Sequence, residues 1–349
     1  MRHVSINRRK IGADQPPYLV AEISANHNGQ LDRALAIMSA AQQAGAHAIK
    51  LQTYTPDTIT LDCDKADFLI DAGPWQGYKL YDLYQQAHTP YEWHKTLFDH
   101  ARKLDITCFS SPFDESAVDL LEDLNAPAYK IASFEAIDIA LIKYVASTGK
   151  PMIISTGMAN LTEIQEAVAA ALDNGCSELI LLHCISAYPA PIADSNLRTL
   201  QDLANKFPVV VGLSDHTLGT TAAVTAVALG ACFIEKHFTL SRQEPGPDAA
   251  FSLQPEEFKF LCQASEDAWL ALGQAGYEQK ACEKINAQFR RSLYFVADLK
   301  KGDTVTTKNM RSIRPGFGLA PKHYQDIIGK TLLKDVARGS PVAWQDISS

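Results

Sequence analysis

Ile234-Glu235-Lys236-His237-Phe238-Thr239 is an apolar, β-type run that ends in three ionisable side chains. A buried strand with that ending delivers its polar groups to one edge of its sheet. Val209-Val210-Val211-Gly212-Leu213 runs in the same way into Ser214-Asp215-His216, so two successive strands each finish on a histidine. If the two are parallel neighbours, His216 and His237 reach the same edge. Period-2 alternation puts Glu235 and His237 on one face and turns Lys236 the other way, toward the helices around the sheet.

The same rhythm extends outward. Tyr18-Leu19-Val20-Ala21 stops at Glu22 and a polar loop, and Leu31 to Ala44 then carries helical spacing that stops at Gly45, a C-cap. Ala48-Ile49-Lys50-Leu51-Gln52 is the second strand, with Lys50 and Gln52 on one face. From Thr53 to Pro90 runs an insertion rich in Asp, Gly, Pro and aromatics, long enough to cover or frame a site. Strands at Ile106-Phe109, Ala128-Ser133, Met152-Ser155 and Leu179-Cys184 alternate with helices over 92–104, 115–124, 139–147, a segment opened by Thr162-Glu163, 197–205 and 220–229, before a last helix over 255–272. Eight strand-helix units without a glycine-rich dinucleotide fingerprint after the first strand favour a closed (β/α)8 TIM barrel over a doubly wound open sheet. The barrel is expected over residues 1–273, a polar linker over 274–289, and a small turn-rich domain over 290–349.

Composition narrows the function. The 349-residue chain is 46% hydrophobic and 21% charged, with a net charge of −8, so it has no general attraction to nucleic acid or an anionic membrane. Met1-Arg2-His3-Val4-Ser5 leads into no apolar signal core, and no apolar run is long enough to span a bilayer. Seven scattered cysteines without a C-x-x-C pair fit reduced thiols in a cytoplasm, most of them packed. Cys184 follows His183 at a strand end, a place where a thiol can also be reactive.

Active sites of such barrels lie at the C-terminal ends of the strands. Read there, the strands deliver Glu22, Lys50 with Gln52, Ser110 with Ser111, Lys130 with Ser133, Ser155, His183, Ser214 with His216, and Glu235 with His237. Two lysines and several hydroxyls suit a phosphorylated, carboxylated anion. Two histidines with carboxylates nearby suit a divalent metal with positions open to water and substrate. Each residue has a plainer reading, since strand-end serines are commonly turn or cap residues and a single histidine is commonly structural. His27, His47, His88, His94, His100 and His323 keep that structural reading. An inward lysine is costly without an anionic partner, and the coincidence over eight strands carries the case.

Those residues sit in stretches that resemble the sialic acid synthase family. Glu22-Ile23-Ser24-Ala25-Asn26-His27-Asn28-Gly29, Lys50-Leu51-Gln52-Thr53, Tyr129-Lys130-Ile131-Ala132-Ser133, Ser155-Thr156-Gly157-Met158, Gly212-Leu213-Ser214-Asp215-His216-Thr217, Glu235-Lys236-His237-Phe238-Thr239 and Gly246-Pro247-Asp248 carry the likeness. Ile313-Arg314-Pro315-Gly316 resembles the family's C-terminal antifreeze-like (SAF) domain. Leu51-Gln52-Thr53-Tyr54-Thr55-Pro56-Asp57-Thr58, Cys63-Asp64-Lys65, Lys130-Ile131-Ala132-Ser133-Phe134-Glu135 and Arg311-Ser312-Ile313-Arg314-Pro315-Gly316-Phe317-Gly318 look most like its pseudaminic acid synthase branch. Ser133-Phe134-Glu135 and Ser186 depart from the pattern common among N-acetylneuraminate synthases.

The resemblance implies condensation of phosphoenolpyruvate with an open-chain amino-sugar aldehyde, with phosphate released by C–O cleavage. It implies Mn²⁺, or Mg²⁺ or Co²⁺, on His216 and His237, and catalytic roles for Glu22, Lys50 and Lys130. Lys50, Ser111, Lys130, Ser133, Ser155 and Ser214 would hold phosphoenolpyruvate, the lysines lying across the barrel from the histidines. Gln52, Tyr188, Asp248 and Arg314 would face the sugar, Arg314 by reaching the other active site of a homodimer. N-acetylneuraminate and legionaminate synthesis are the alternatives within the family, and a non-catalytic ice-binding or scaffold protein is the alternative outside it.

Overall fold

Apolar runs enclosed by amphipathic helices dictate strands buried on both faces, and the chain builds a parallel barrel from them. The structure, a computed structural model, describes residues 2–73, 75–244 and 246–349. It divides into two units, Met1–Gly273 and Gln274–Ser349. Residues 274–289 therefore fall with the second unit, where Ala281–Phe289 forms 3-10 turns without a buried residue.

The first unit opens with an antiparallel hairpin, β1 (Val4–Ile6) and β2 (Arg9–Ile11). Eight parallel strands follow: β3 (Tyr18–Glu22), β4 (Ala48–Thr53), β5 (Thr107–Pro112), β6 (Tyr129–Ile131), β7 (Met152–Ser155), β8 (Leu179–Cys184), β9 (Val210–Asp215) and β10 (Phe233–His237). They close in sequence order, with β10 returning to pair with β3. Gly45, with φ of 94°, ends the Leu31–Gln43 helix in the left-handed conformation that glycine adopts without strain. Asn160 caps the Leu161–Leu172 helix through a reciprocal capping box with Glu163, so this helix starts one residue before Thr162.

Alternation sorts the strand residues into two cores. Outward residues such as Leu19, Ile49, Ile131, Ile154, Leu181 and Ile234 pack against the helices. Tyr18, Val20, Ala48, Phe109, Ile153, Ile180, Leu182, Val210 and Phe233 fill the barrel, joined by Val4, Ile6 and Ile11 of the hairpin. Ser5 N–H donates to Glu178 Oε1 at 2.8 Å and Asn7 Nδ2 donates to Thr107 Oγ1 at 3.3 Å. Both partners lie at strand starts, so the hairpin plugs the N-terminal end and leaves the C-terminal end for polar groups. Its three-residue strands are too short for a periodic signal, and its turn is made by Asn7 and Arg8 at positive φ.

The 53–90 insertion is partly ordered by short helices, Pro56–Ile59 and Leu80–Ala87, and by Lys79, which pairs with Asp62 and Asp64 at 2.9 and 2.8 Å. The second unit is built on an antiparallel pair, β11 (Ser292–Phe295) and β12 (Met310–Ile313). Its own core includes Leu293, Phe295, Val305, Met310, Ile327, Leu332 and Val342. No helix among the described residues is long and apolar enough to cross a membrane, and all seven cysteines are free.

Candidate active site

At the C-terminal end of the barrel a cavity of about 410 Å³ is lined by Lys50, Gln52, Lys130, Ser133, Ser155, Tyr188, Ser214, His216, His237 and Asp248. That size suits a pair of small metabolites. Glu22 and Ser111 lie beneath it, in contact with Lys50. Two members expected in the crown are elsewhere. Ser110 faces outward, where its Oγ lies 2.6 Å from Thr53 Oγ1, itself 2.8 Å from His94 Nε2. His183 also faces outward, with Nε2 2.7 Å from the Ser195 carbonyl. Each is one residue out of phase with an inward neighbour, Ser111 or Cys184.

Register explains how the charges meet. His237 aligns with Glu22, and Glu22 with Lys50, so β10, β3 and β4 present one row. Lys50 Nζ lies 2.5 Å from Glu22 Oε2, 3.3 Å from Glu235 Oε1 and 3.3 Å from Ser111 Oγ. Lys130 Nζ, arriving from β6, lies 3.1 Å from the same Glu235 oxygen, and Ser214 Oγ donates to it at 3.1 Å. The expected separation of a lysine side from a histidine side does not hold, because Glu235, two residues before His237, joins both lysines. Burial pushes Glu22 up, against the pull of Lys50. Burial acts on Glu235 in the same sense, but Lys130 and Lys50 together hold it below the usual carboxylate range. Burial lowers Lys130, and the Glu235 charge only partly offsets this.

Lys236 turns outward as alternation requires, yet its partner is on the neighbouring strand and not a helix. Its Nζ lies 2.7 Å from Asp215 Oδ2 and also donates to the Thr217 carbonyl. Lys236 and Asp215 are register partners, so this pair fastens the ends of β10 and β9. The two histidines on the inner side have ring centroids 5.5 Å apart. His216 Nδ1 sits 2.9 Å from the Ile185 carbonyl, so in the neutral ring the Nδ1 proton goes to that carbonyl and Nε2 carries the lone pair, while, against burial, Cys184 and this hydrogen bond raise the ring above its ordinary pKa. His237 is held well below its ordinary pKa by burial and by His216 and Lys50, and its buried Nδ1 has no hydrogen-bond partner. A neutral imidazole with an orphaned nitrogen beside a second imidazole fits a divalent ion, although no cluster of three or more His, Cys, Asp or Glu forms a complete ligand set among the described residues.

Tyr188, in the loop after β8, packs with its ring tilted against His216, centroids 4.3 Å apart, and against Phe251, 5.3 Å apart. The insertion covers this end: Trp75 lies 5.7 Å from Tyr188 and donates to the Pro247 carbonyl at 3.2 Å, while Leu83 and Tyr84 also line the cavity. Asp248 is buried and pushed up by that burial, its Oδ2 accepting from Ser24 Oγ. Glu135, from the turn after β6, lines the wall too, and burial raises it to about 7. Ser186 Oγ donates to Ser133 Oγ at 2.8 Å. Ser24, Glu135 and the shared role of Glu235 were not assigned from sequence, although all three stand in the quoted motifs. Buried Ser155 Oγ, Glu235 Oε2 and Glu135 Oε2, like His237 Nδ1, have no partner within the protein, a concentration of unsatisfied polar atoms that marks a ligand site. Arg314 stands exposed directly after β12 in the second unit.

Residues 37–277 match the NeuB family and residues 290–348 match the SAF domain. The chain is 45% identical over 333 residues to a pseudaminic acid synthase of Campylobacter jejuni, covering 95% of this chain and 97% of that one. It is 44% identical to the pseudaminic acid synthase of Helicobacter pylori, covering 95% and 98%. Among solved structures it is similar to an N-acetylneuraminic acid synthetase from Leptospira borgpetersenii in complex with citrate, with a TM-score of 0.73 and 31% identity over 82% of this chain and 95% of that one.

Proposed function

The chain belongs to the NeuB family, and from that premise we propose that it is a pseudaminic acid synthase, joining phosphoenolpyruvate, 2,4-diacetamido-2,4,6-trideoxy-L-altrose and water to give pseudaminic acid and phosphate. The observation that carries the reading is the meeting of two buried ammonium groups and two histidines in one cavity. Glu22 and Glu235 counter the two lysines within the protein, and a small anion seated among these ammonium groups and the neighbouring hydroxyls draws on the same charges.

Lys50 and Lys130, with Ser111, Ser133, Ser155 and Ser214, hold the carboxylate and phosphate of phosphoenolpyruvate. Gln52, Tyr188 and Asp248 orient the open-chain sugar so that its aldehyde carbon faces the enol carbon. His216 and His237 would hold a divalent ion, Mn²⁺ by family resemblance, which would supply Lewis-acid chemistry beside the aldehyde. As the new C–C bond forms, positive charge develops at the carbon bearing phosphate. Glu22 faces that charge as a carboxylate, or takes a proton from the water that adds there before C–O cleavage releases phosphate. The tail is proposed to reach across a homodimer, bringing Arg314 to the partner's sugar, and the seven free thiols fit a reducing cytoplasm. An active monomer on gel filtration would remove the dimer arrangement.

Phosphate release from phosphoenolpyruvate with a panel of amino-sugar acceptors tests the reaction. The 2,4-diacetamido-altrose is expected to give the highest kcat/KM. Higher kcat/KM with N-acetylmannosamine, or with the precursor of legionaminate, would reassign the enzyme within the family.

A further inference from the structure

Ser24 follows Glu22 and Ile23, is buried, and lines the cavity. Its φ is 47°, the left-handed region that a side-chain-bearing residue seldom occupies. The conformation places its hydroxyl between two of the groups that face the sugar. Ser24 Oγ lies against Asp248 Oδ2, and Gln52 Nε2 donates to Ser24 Oγ at 3.2 Å.

The direction of this chain of hydrogen bonds follows from its chemistry. Asp248 Oδ2 also accepts the Ala25 amide, at 3.4 Å, so it receives donors. The Ser24 proton therefore goes to Asp248, and the Ser24 oxygen must accept. Only the amide nitrogen of Gln52 can donate there, which leaves the Gln52 carbonyl oxygen and the second Asp248 oxygen as acceptors for a ligand. The loop that carries Ser24 is held independently. Asn26 Nδ2 donates at 2.9 Å to the Phe238 carbonyl and to Ser252 Oγ, and Ser252 Oγ donates to the Asp248 carbonyl at 2.6 Å.

We infer that Ser24 is a specificity-determining positioning residue of the acceptor subsite, fixing Gln52 and Asp248 as a pair of hydrogen-bond acceptors that reads donor groups, hydroxyl or amide N–H, on the sugar. The inference rests on the reaction proposed above. A hydroxyl at this position costs the backbone its easier φ and returns a defined orientation of the Gln52 amide.

Ser24→Gly separates the two roles, because glycine accepts the backbone conformation while losing the hydroxymethyl group that makes the hydrogen bonds. Its melting temperature is expected to equal or exceed that of the wild type. Its KM for the acceptor should rise about tenfold, the loss of one directed hydrogen-bond chain, with KM for phosphoenolpyruvate unchanged. In Gln52→Leu the same Ser24→Gly substitution should have little further effect on acceptor KM. Wild-type turnover with an unchanged acceptor KM in Ser24→Gly would sink this inference and leave the reaction standing. Absence of phosphate release by the wild type with every amino-sugar aldehyde would sink both.

Discussion

Lys130 Nζ stands 3.1 Å from Glu235 Oε1, the same oxygen that Lys50 approaches at 3.3 Å. One carboxylate is thus the common counter-ion of two ammonium groups that rise from strands two apart in the barrel. Glu235→Gln removes that charge and leaves Glu22 as the nearby anion. Breaking a buried pair from one side costs about 3–5 kcal/mol, so the barrel's melting temperature should fall by several degrees. Phosphoenolpyruvate should raise the variant's melting temperature more than the wild type's, measured by scanning calorimetry with and without it.

Glu135 gives a pH dependence with a definite sign. Burial raises it from 4.5 to about 7. Between those values the folded chain keeps a proton that the unfolded chain has released, so this group's contribution to stability falls as pH rises. The loss is on the order of 3 kcal/mol across the window. Denaturant midpoints at pH 5 and pH 7.5 should differ less in Glu135→Gln than in the wild type, and parallel curves would exclude the assignment.

For the metal, His237→Ala is expected to abolish retention of a divalent ion, read by elemental analysis after dialysis. Glu22→Gln should retain the ion. Equal metal content in His237→Ala and wild type would reject the ligand role.

Glu22→Gln keeps the size of the side chain and removes its charge. A fall in kcat of about 10²-fold or more, with KM for phosphoenolpyruvate nearly unchanged, is expected of a group that acts on developing charge or on water. Full turnover in this variant would leave Glu22 as no more than a partner of Lys50.

The barrel was legible because each strand is a short apolar run with a polar ending, and the spacing of those endings survives in one dimension. The inward turn of Glu235 and His237 followed from alternation alone. Ser110 and His183 differ from the expectation because strict alternation gives the inward positions to Phe109 and Ser111 on β5 and to Leu182 and Cys184 on β8, and one residue of phase exchanges cavity for helix layer. The Lys236 partner was missed for another reason: Asp215 is distant in sequence and adjacent only after β9 and β10 pair. Glu235 as a shared counter-ion, and Ser24 between Gln52 and Asp248, likewise depend on which strands become neighbours when the barrel closes.

The hairpin at the base of the barrel bears on how the chain is made. Val4, Ile6 and Ile11 share one buried cluster with Phe233 as well as Tyr18, so the hairpin cannot complete its packing until the eighth barrel strand has been synthesised. Such long-range closure slows folding, and the apolar hairpin residues must wait without their cover. A circular permutant of the barrel unit that joins residue 273 to residue 1 and opens in the 53–90 insertion would bring β10 and the hairpin close together in the sequence. It should refold faster than the same unit in its native order.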